Sequence, residues 1–270
     1  MIKSYKHRAF TTLVSLVLLF VGIFNITVSH ATGFDNLPKK QFNVLLFTKT
    51  NGWHHKSQHA GVESLKALAD KHYFNLVWHE ESRYFNDAYL SKVDVVVFLS
   101  TTGDVLTNDQ QAAFERFVQS GKGFVGIHSA SDTEYDWPWF QKLVGRTFVI
   151  HPVIQTAELQ KSPNNKHLGL QQMPDKMLWT DEWYEFGPEL SKLNYLLTVD
   201  EKTYDTKADW GDIKGEGMGK FHPIAWYHNY DGGRSFYTSL GHLSAVYENP
   251  IFTEHVYGGI YWAATGKGLK

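Results

Sequence analysis

Val93 to Leu99 reads VDVVVFL, and no other stretch of the chain limits the fold so sharply. A nearly uninterrupted β-branched, apolar run suits a strand buried on both faces, as in a parallel sheet covered by helices. Its neighbours agree. Phe42 to Phe47 (FNVLLF) and Phe74 to Trp78 (FNLVW) read as strands, and Ser57 to Tyr73 between them sets Val62, Leu65, Leu68 and Ala69 at helical spacing. Thr107-Asn108-Asp109-Gln110 is a capping box, with Thr107 as N-cap and Gln110 reaching back. It opens a helix that buries Phe114, Phe117 and Val118 and stops at Gly121, before a fourth strand from Phe124 to Ile127.

After Trp139 the pattern turns to strands and loops: Thr147 to Leu159, Tyr195 to Val199, Pro223 to Tyr230 and Ser235 to Leu240. Asp231-Gly232-Gly233 predicts a hairpin between the last two, because glycine permits the positive φ of a tight turn. Asn249 to Ala264 reads as a closing helix, and the polar, glycine-rich Thr203 to Lys220 as a mobile loop and candidate lid. The expectation is an α/β fold: a mostly parallel sheet with helices on both faces and added antiparallel strands in the C-terminal half. Neither an internal repeat nor an interdomain linker is evident, so residues 41–265 read as one domain.

Residues 1–31 are of another kind. Lys3, Lys6 and Arg8 precede an apolar run from Ala9 to Phe24, and Ser29-His30-Ala31 has the small-x-small form of a cleavage site. They read as a secretory signal peptide, with an uncleaved membrane anchor as the alternative. Either way the expected location is periplasmic or secreted, and after cleavage nothing would hold the protein in the membrane. The net charge of −2 carries no block of like sign, which argues against nucleic acid as a partner. Small or neutral partners are expected, and an oligomer is compatible with the sequence. The chain has no cysteine, so thiol chemistry is excluded.

In a parallel α/β sheet, ligands gather at the carboxyl ends of the strands. After the first strand come Asn51, Trp53, His54, His55 and Ser57, after the third Thr101, Thr102 and Asp104, and after the fourth His128, Ser129, Asp132, Thr133 and Glu134. His128, in Gly-Ile-His-Ser-Ala, stands where many α/β enzymes put a nucleophile on a strand-to-helix turn. An imidazole there serves as general base, general acid or metal ligand. The competing reading is a histidine satisfied by a backbone carbonyl while it packs the strand end.

The stretches NVLLFTKTNGWHHKS, VVVFLSTTGDVLTNDQQAAFERFVQSGKGFVGIHSASDTEYDWPWF, TDEWYEF and HPIAWYHNYDGGRSFYTSLGH together resemble the ThuA-like (trehalose utilisation) family, in consistent order from about Gln41 to Ala264. The resemblance implies the class I glutamine amidotransferase-like fold, a flavodoxin-like or Rossmann-like sheet. In true amidotransferases of that fold a cysteine occupies the turn held here by His128, so amidotransferase activity is not expected. The family pattern, carried over by residue, implies site positions at His55, His128, His151, Asp181, Glu182, His222 and His242. His54 and Lys56 flank His55 where relatives commonly have arginine and aspartate, which leaves open which adjacent histidine faces inward.

The candidate catalytic residues are therefore His128, Glu182, His242, His55 and Asp181. Each of several has a structural alternative: His151 before Pro152 ends a strand, Asp181 caps a helix, and His222 before Pro223 repeats the strand-end theme. Candidates for binding substrate are Trp53, Ser57, Thr102, Asp132, Glu134, Trp183 and Tyr184. Two schemes stay open. In one, Glu182 and His128 move protons with no cofactor. In the other, a set drawn from His55, His128, His151, His242 and Glu182 holds a divalent metal such as zinc. No His-x-x-x-His or His-x-His pair preorganises ligands, so the sequence favours the first.

Aromatic residues make up 15% of the chain, with nine tryptophans, and Trp53, Trp137, Trp139, Trp183 and Trp210 fall in loops. They suit either sugar-stacking platforms or the packing of loops onto a core. The family implies carbohydrate catabolism, in some members by way of 3-keto sugars. The expectation is a sugar-processing hydrolase, lyase or isomerase acting on a disaccharide, glycoside or 3-keto derivative. A noncatalytic carbohydrate-binding protein and a metal-dependent hydrolase are the alternatives.

Overall fold

The computed structural model describes residues 33–268, and the expected signal peptide at residues 1–31 lies outside the described residues. The first half follows the sequence periodicity: β1 (Asn43–Phe47), α1 (Gln58–Lys71), β2 (Asn75–His79), the one-turn α2 (Asp87–Leu90), β3 (Val95–Leu99), α3 (Asn108–Gln119) and β4 (Gly123–Ile127). Every residue of β3 is buried, as its composition requires. α3 opens on the expected capping box, where the Thr107 N–H donates to Gln110 Oε1 at 2.9 Å.

The second half is α4 (Pro138–Val144), β5 (Phe148–Ile150), β6 (Gln155–Lys161), β7 (Lys176–Asp181), β8 (Glu185–Phe186), β9 (Asn194–Asp200), β10 (Ala208–Asp209), β11 (Lys214–Gly215), β12 (Pro223–Tyr230), β13 (Gly233–Thr238) and α5 (Pro250–Thr265). Here the structure corrects one expectation, removes one alternative and adds detail to a third segment. The run from Thr147 to Leu159 is two strands, interrupted at His151-Pro152, because proline has no N–H for a ladder and restricts the residue before it. Asp181 ends a strand, β7, and caps no helix. The segment read as a mobile loop and candidate lid carries the short β10–β11 hairpin, and Glu201 takes its Met218 and Gly219 N–H groups. The turn between β12 and β13 is as expected, with φ of 47° at Asp231 and 88° at Gly232.

Nine strands form one sheet in the order β2-β1-β3-β4-β13-β12-β9-β6-β7. From β2 to β13 all neighbours are parallel, and from β13 to β7 all are antiparallel. That alternation fixes where the site lies. Four reversals return β7 to the direction of β13, so the residues after β1, β3, β4, β7 and β13 all leave the same edge. α1 and α5 cover one face over Leu65, Phe252 and Ile260. α3 and α4 cover the other over Phe98, Phe114 and Phe140. Among the described residues no helix is long and apolar enough to cross a membrane.

Candidate functional site

At the end of β4 the backbone turns sharply: His128 has φ of 55°, in the left-handed region that a residue with a Cβ seldom adopts. The turn projects a fully buried imidazole over the sheet edge. Its Nδ1–H donates to the Ser239 carbonyl at 2.8 Å, and a carbonyl can only accept, so the Nε2 lone pair points forward, where it accepts from the Tyr184 hydroxyl at 2.7 Å. The packing reading of this histidine is thus half right. One nitrogen is satisfied by backbone, and that bond aims the other.

Around Nε2 the remaining groups converge from separate elements. His55 arrives from the loop after β1, Glu182 from the end of β7, and His242 from the loop after β13. One ligand atom from each of His55, His128, Glu182 and His242 lies within 4.8 Å of all the others. Glu182 Oε2 is 2.9 Å from His242 Nδ1 and 3.6 Å from His128 Nε2, yet this buried oxygen makes no hydrogen bond. Of the two adjacent histidines, His55 is the one that faces inward, and His54 is exposed.

The electrostatics follow from burial. Desolvation, and then His242 and His151 nearby, push the His55 imidazole down to about 3. Desolvation, reinforced by His55, holds His128 well below the ordinary histidine range. Both rings are therefore neutral at physiological pH, the form that binds metal. Imidazole nitrogens beside a carboxylate oxygen that accepts no hydrogen bond are the donor types a divalent cation takes, and nitrogen-rich donors of this kind suit zinc. His151 falls outside the group of four. Its Nδ1 turns to the Pro152 carbonyl at 2.7 Å, while its Nε2 reaches the other oxygen of Glu182 at 3.5 Å.

Asp181, expected among the catalytic groups, supports one of them instead. Its buried carboxylate accepts the N–H groups of Gly241 at 2.9 Å and His242 at 3.0 Å. Burial raises its pKa to about 6 against the opposing effect of those donors. Ser57 assists from the other side, donating Oγ–H to the Gly241 carbonyl at 3.0 Å. Thr102 holds the first loop, donating to the Trp53 carbonyl at 2.9 Å.

The group opens into a cavity of about 450 Å³, within the usual range for small-molecule sites. His55, Glu182 and His242 line it together with Asp132, His151 and Tyr184, and Phe148, Trp53 and Trp210 complete its walls. Trp53 is 71% exposed and Trp210 51%, so two indoles stand open to solvent at one pocket. Desolvation raises the Asp132 pKa, and Tyr135 donates to its Oδ1 at 2.8 Å.

Four expected substrate-binding residues do not line the cavity: Ser57 and Thr102, which hold the loops as described, and Trp183 and Glu134. Trp183 is buried in the core with its indole N–H on the Gln155 carbonyl. Glu134 is consumed by the loop before α3, where its oxygens accept from Val105, Leu106 and Gln111. Conversely, sequence reasoning missed Phe148 and the Ser239 carbonyl. A backbone acceptor leaves no mark in residue identity, so nothing in the sequence pointed to Ser239.

The family model described as Trehalose utilisation, ThuA, matches residues 43–263. Among solved structures, a ThuA-like protein from Bacteroides uniformis superposes with a TM-score of 0.69 at 20% identity, covering 87% of this chain and 98% of that one. One from Parabacteroides merdae gives 0.66 at 20% identity, covering 85% and 92%. A cytoplasmic protein from Salmonella typhimurium gives 0.55 at 9% identity, covering 82% and 98%. At such identities the likeness is one of fold. No curated protein sequence matches the chain significantly.

Proposed function

Because the chain belongs to the ThuA, or trehalose utilisation, family, we propose that it is a divalent-metal enzyme acting on a small carbohydrate: a disaccharide, a glycoside or a 3-keto sugar derivative. One observation carries the reading: His55, His128, His242 and Glu182 offer ligand atoms all within 4.8 Å of one another at the floor of a cavity with aromatic walls. The absence of a two-histidine spacing motif argued against metal from sequence. That argument covers only ligands carried on one element, whereas these four residues come from different strand ends of one sheet edge.

A divalent ion held by these four would supply Lewis-acid polarisation of a sugar oxygen or activation of water. The chain's own groups do the rest. Asp181 fixes the backbone of His242, and Ser239 fixes the ring of His128. His151, 3.5 Å from Glu182 Oε1 and lining the cavity, is placed to accept or return a proton beside the reacting sugar. Trp53 and Trp210 offer flat faces on which a sugar ring stacks its C–H bonds. The same proposal puts the folded part outside the cytoplasm, on the basic, apolar and small-residue pattern of residues 1–31 alone.

The test is incubation of the protein with a panel of disaccharides and their 3-keto derivatives, read by mass spectrometry and chromatography. Native, chelated and His128→Ala protein are run side by side. Product from native protein alone, restored to the chelated sample by zinc, supports the proposal. Equal turnover after chelation returns the site to metal-free proton transfer. Sugar binding without any product makes it a recognition site.

A further inference from the structure

Two carboxylates line the cavity, Glu182 and Asp132, and only Glu182 has histidines against it. Asp132 lies outside the group of four ligand atoms and stands in the wall beside Phe148. No lysine or arginine lines the cavity, so its charge has no cationic side chain to meet there.

The residue is nevertheless held in place at both ends. Its carbonyl accepts the Gly103 N–H at 2.9 Å, which ties the turn after β4 to the loop after β3. Its Oδ1 accepts from the Tyr135 hydroxyl at 2.8 Å, and the same hydroxyl lies 2.9 Å from the Phe148 carbonyl at the start of β5. Phe148 in turn pairs with Phe186 of β8, so the carboxylate is fixed to the wall it stands in. Oδ2 has no such duty. Among the described residues it accepts no hydrogen bond, although a carboxylate has room for about four donors.

A carboxylate held by one oxygen and open at the other is a receptor for donors only. Sugar hydroxyls are donors, and two neighbouring hydroxyls can share one carboxylate. Trp53 and Trp210 line the same cavity, so one ring can present its C–H face to an indole and its hydroxyl edge to Asp132. A phosphate or carboxylate on the sugar brings acceptors and negative charge in place of donors. A divalent ion at the four ligands would offset the charges of Glu182 and Asp132 and leave no surplus to hold that anion.

We infer that Asp132 sets substrate specificity, a role that rests on the carbohydrate reading above and needs no ion: its Oδ2 accepts hydroxyl hydrogen bonds from an uncharged sugar, and its charge turns away the phosphorylated or carboxylated counterpart. Attraction for one class and repulsion of the other come from the same oxygen. Tyr135 is its positioning residue, because its hydroxyl decides where that oxygen stands.

The experiment uses the full chain, at about pH 8 to keep the carboxylate ionised. Trehalose, maltose and cellobiose are titrated calorimetrically, each beside its own phosphate monoester. The titrations are run in chelator, so that no ion can take the phosphate, and with zinc if nothing binds without it. Wild type should bind at least one of the disaccharides, and about 10-fold or more tighter than its monoester. Asp132→Asn keeps the shape and an acceptor for Tyr135 but removes the charge. It should bind that disaccharide about 10-fold more weakly, and the preference over the monoester should all but vanish. Equal disaccharide affinity in the two proteins, or a lower affinity with the preference unchanged, overturns the role of Asp132 and leaves the carbohydrate reading standing. Should the variant not fold, the wild-type comparison decides, since a monoester bound as tightly as its disaccharide overturns the role by itself. No disaccharide bound by wild type under either condition overturns the carbohydrate reading and the role of Asp132 with it.

Discussion

The carboxylate of Asp181 accepts the backbone N–H of His242 at 3.0 Å, tying the end of β7 to the loop after β13. Two strands on opposite sides of the antiparallel half of the sheet are joined there, at the point where one of the clustered histidines must be aimed. Asp181→Asn keeps the shape but removes the charge and turns one acceptor oxygen into an NH2, so either Gly241 and Trp179 or His242 and Glu182 lose their acceptor. The expected result is zinc affinity lowered about 10- to 100-fold, with a stability loss of about 1–3 kcal/mol. Calorimetric titration and urea unfolding read the two separately, and unchanged zinc affinity would refute the positioning role.

Metal should be visible as stability. A ligand that binds only the folded state at 100 times its dissociation constant adds about 2.7 kcal/mol. Wild type should therefore melt higher with zinc than with chelator, whereas His242→Ala, lacking one of four ligand atoms, should show little of that shift. Equal shifts in both would mean that zinc binds elsewhere.

Trp53 and Trp210 stand open at the cavity mouth, so each should matter to ligands far more than to folding. Trp53→Ala is expected to weaken sugar binding about 10-fold through lost stacking. Its unfolding free energy should change by no more than about 0.5 kcal/mol. Fluorescence titration with disaccharides checks the first and chemical denaturation the second. A large stability loss with intact sugar affinity would assign the indole to packing.

Glu201 accepts from His222 Nδ1 at 2.7 Å and from Gly219 N at 2.9 Å, and so pins the segment that carries Trp210. Glu201→Ala removes one partner of a part-buried pair and leaves the His222 ring and two N–H groups without their acceptor, which typically costs about 1–3 kcal/mol. Trypsin should then cut at Lys207 or Lys214 of the released hairpin faster than in wild type. Unaltered cleavage there would show that the hairpin holds without Glu201.

Three histidines away from the site make the fold acid-sensitive. Desolvation pushes His167 down to about 3 and His228 and His255 down to about 4, from an ordinary 6.5. Below about pH 6.5 the unfolded chain therefore binds protons that the folded chain refuses, so stability falls as pH drops through the window from 6.5 toward 4. Each can contribute a slope of up to about 1.4 kcal/mol per pH unit. The urea midpoint should fall clearly between about pH 7 and about pH 5, and less steeply in His255→Gln. A flat profile would contradict the burial of these rings in neutral form.

The parallel half of the sheet was legible from local pattern, because β3 is a run of β-branched residues buried at every position and Thr107 and Gln110 mark the start of α3. Those features depend on neighbours in the chain, and two of the four family-bearing stretches lie on the same segments. β7 was not legible. Its residues alternate between buried and exposed on an edge strand, and Thr180-Asp181-Glu182 reads equally well as a helix cap.

The sequence by itself determined the chemical inventory: histidines and acids at strand ends, indoles in loops, and no thiol anywhere. Tertiary structure decided what that inventory does. His55, His128, Glu182 and His242 are spread over almost the whole described chain, so no spacing rule can reveal that their ligand atoms meet within 4.8 Å. Glu134 and Trp183 look as eligible as Asp132 and Tyr184 in the sequence, yet hydrogen bonds and core packing turn them away. Which way a side chain faces depends on sheet direction, backbone acceptors such as the Ser239 carbonyl, and the cost of leaving a buried polar group unpaired. Those are properties of the folded surroundings and are not written in the residue alone.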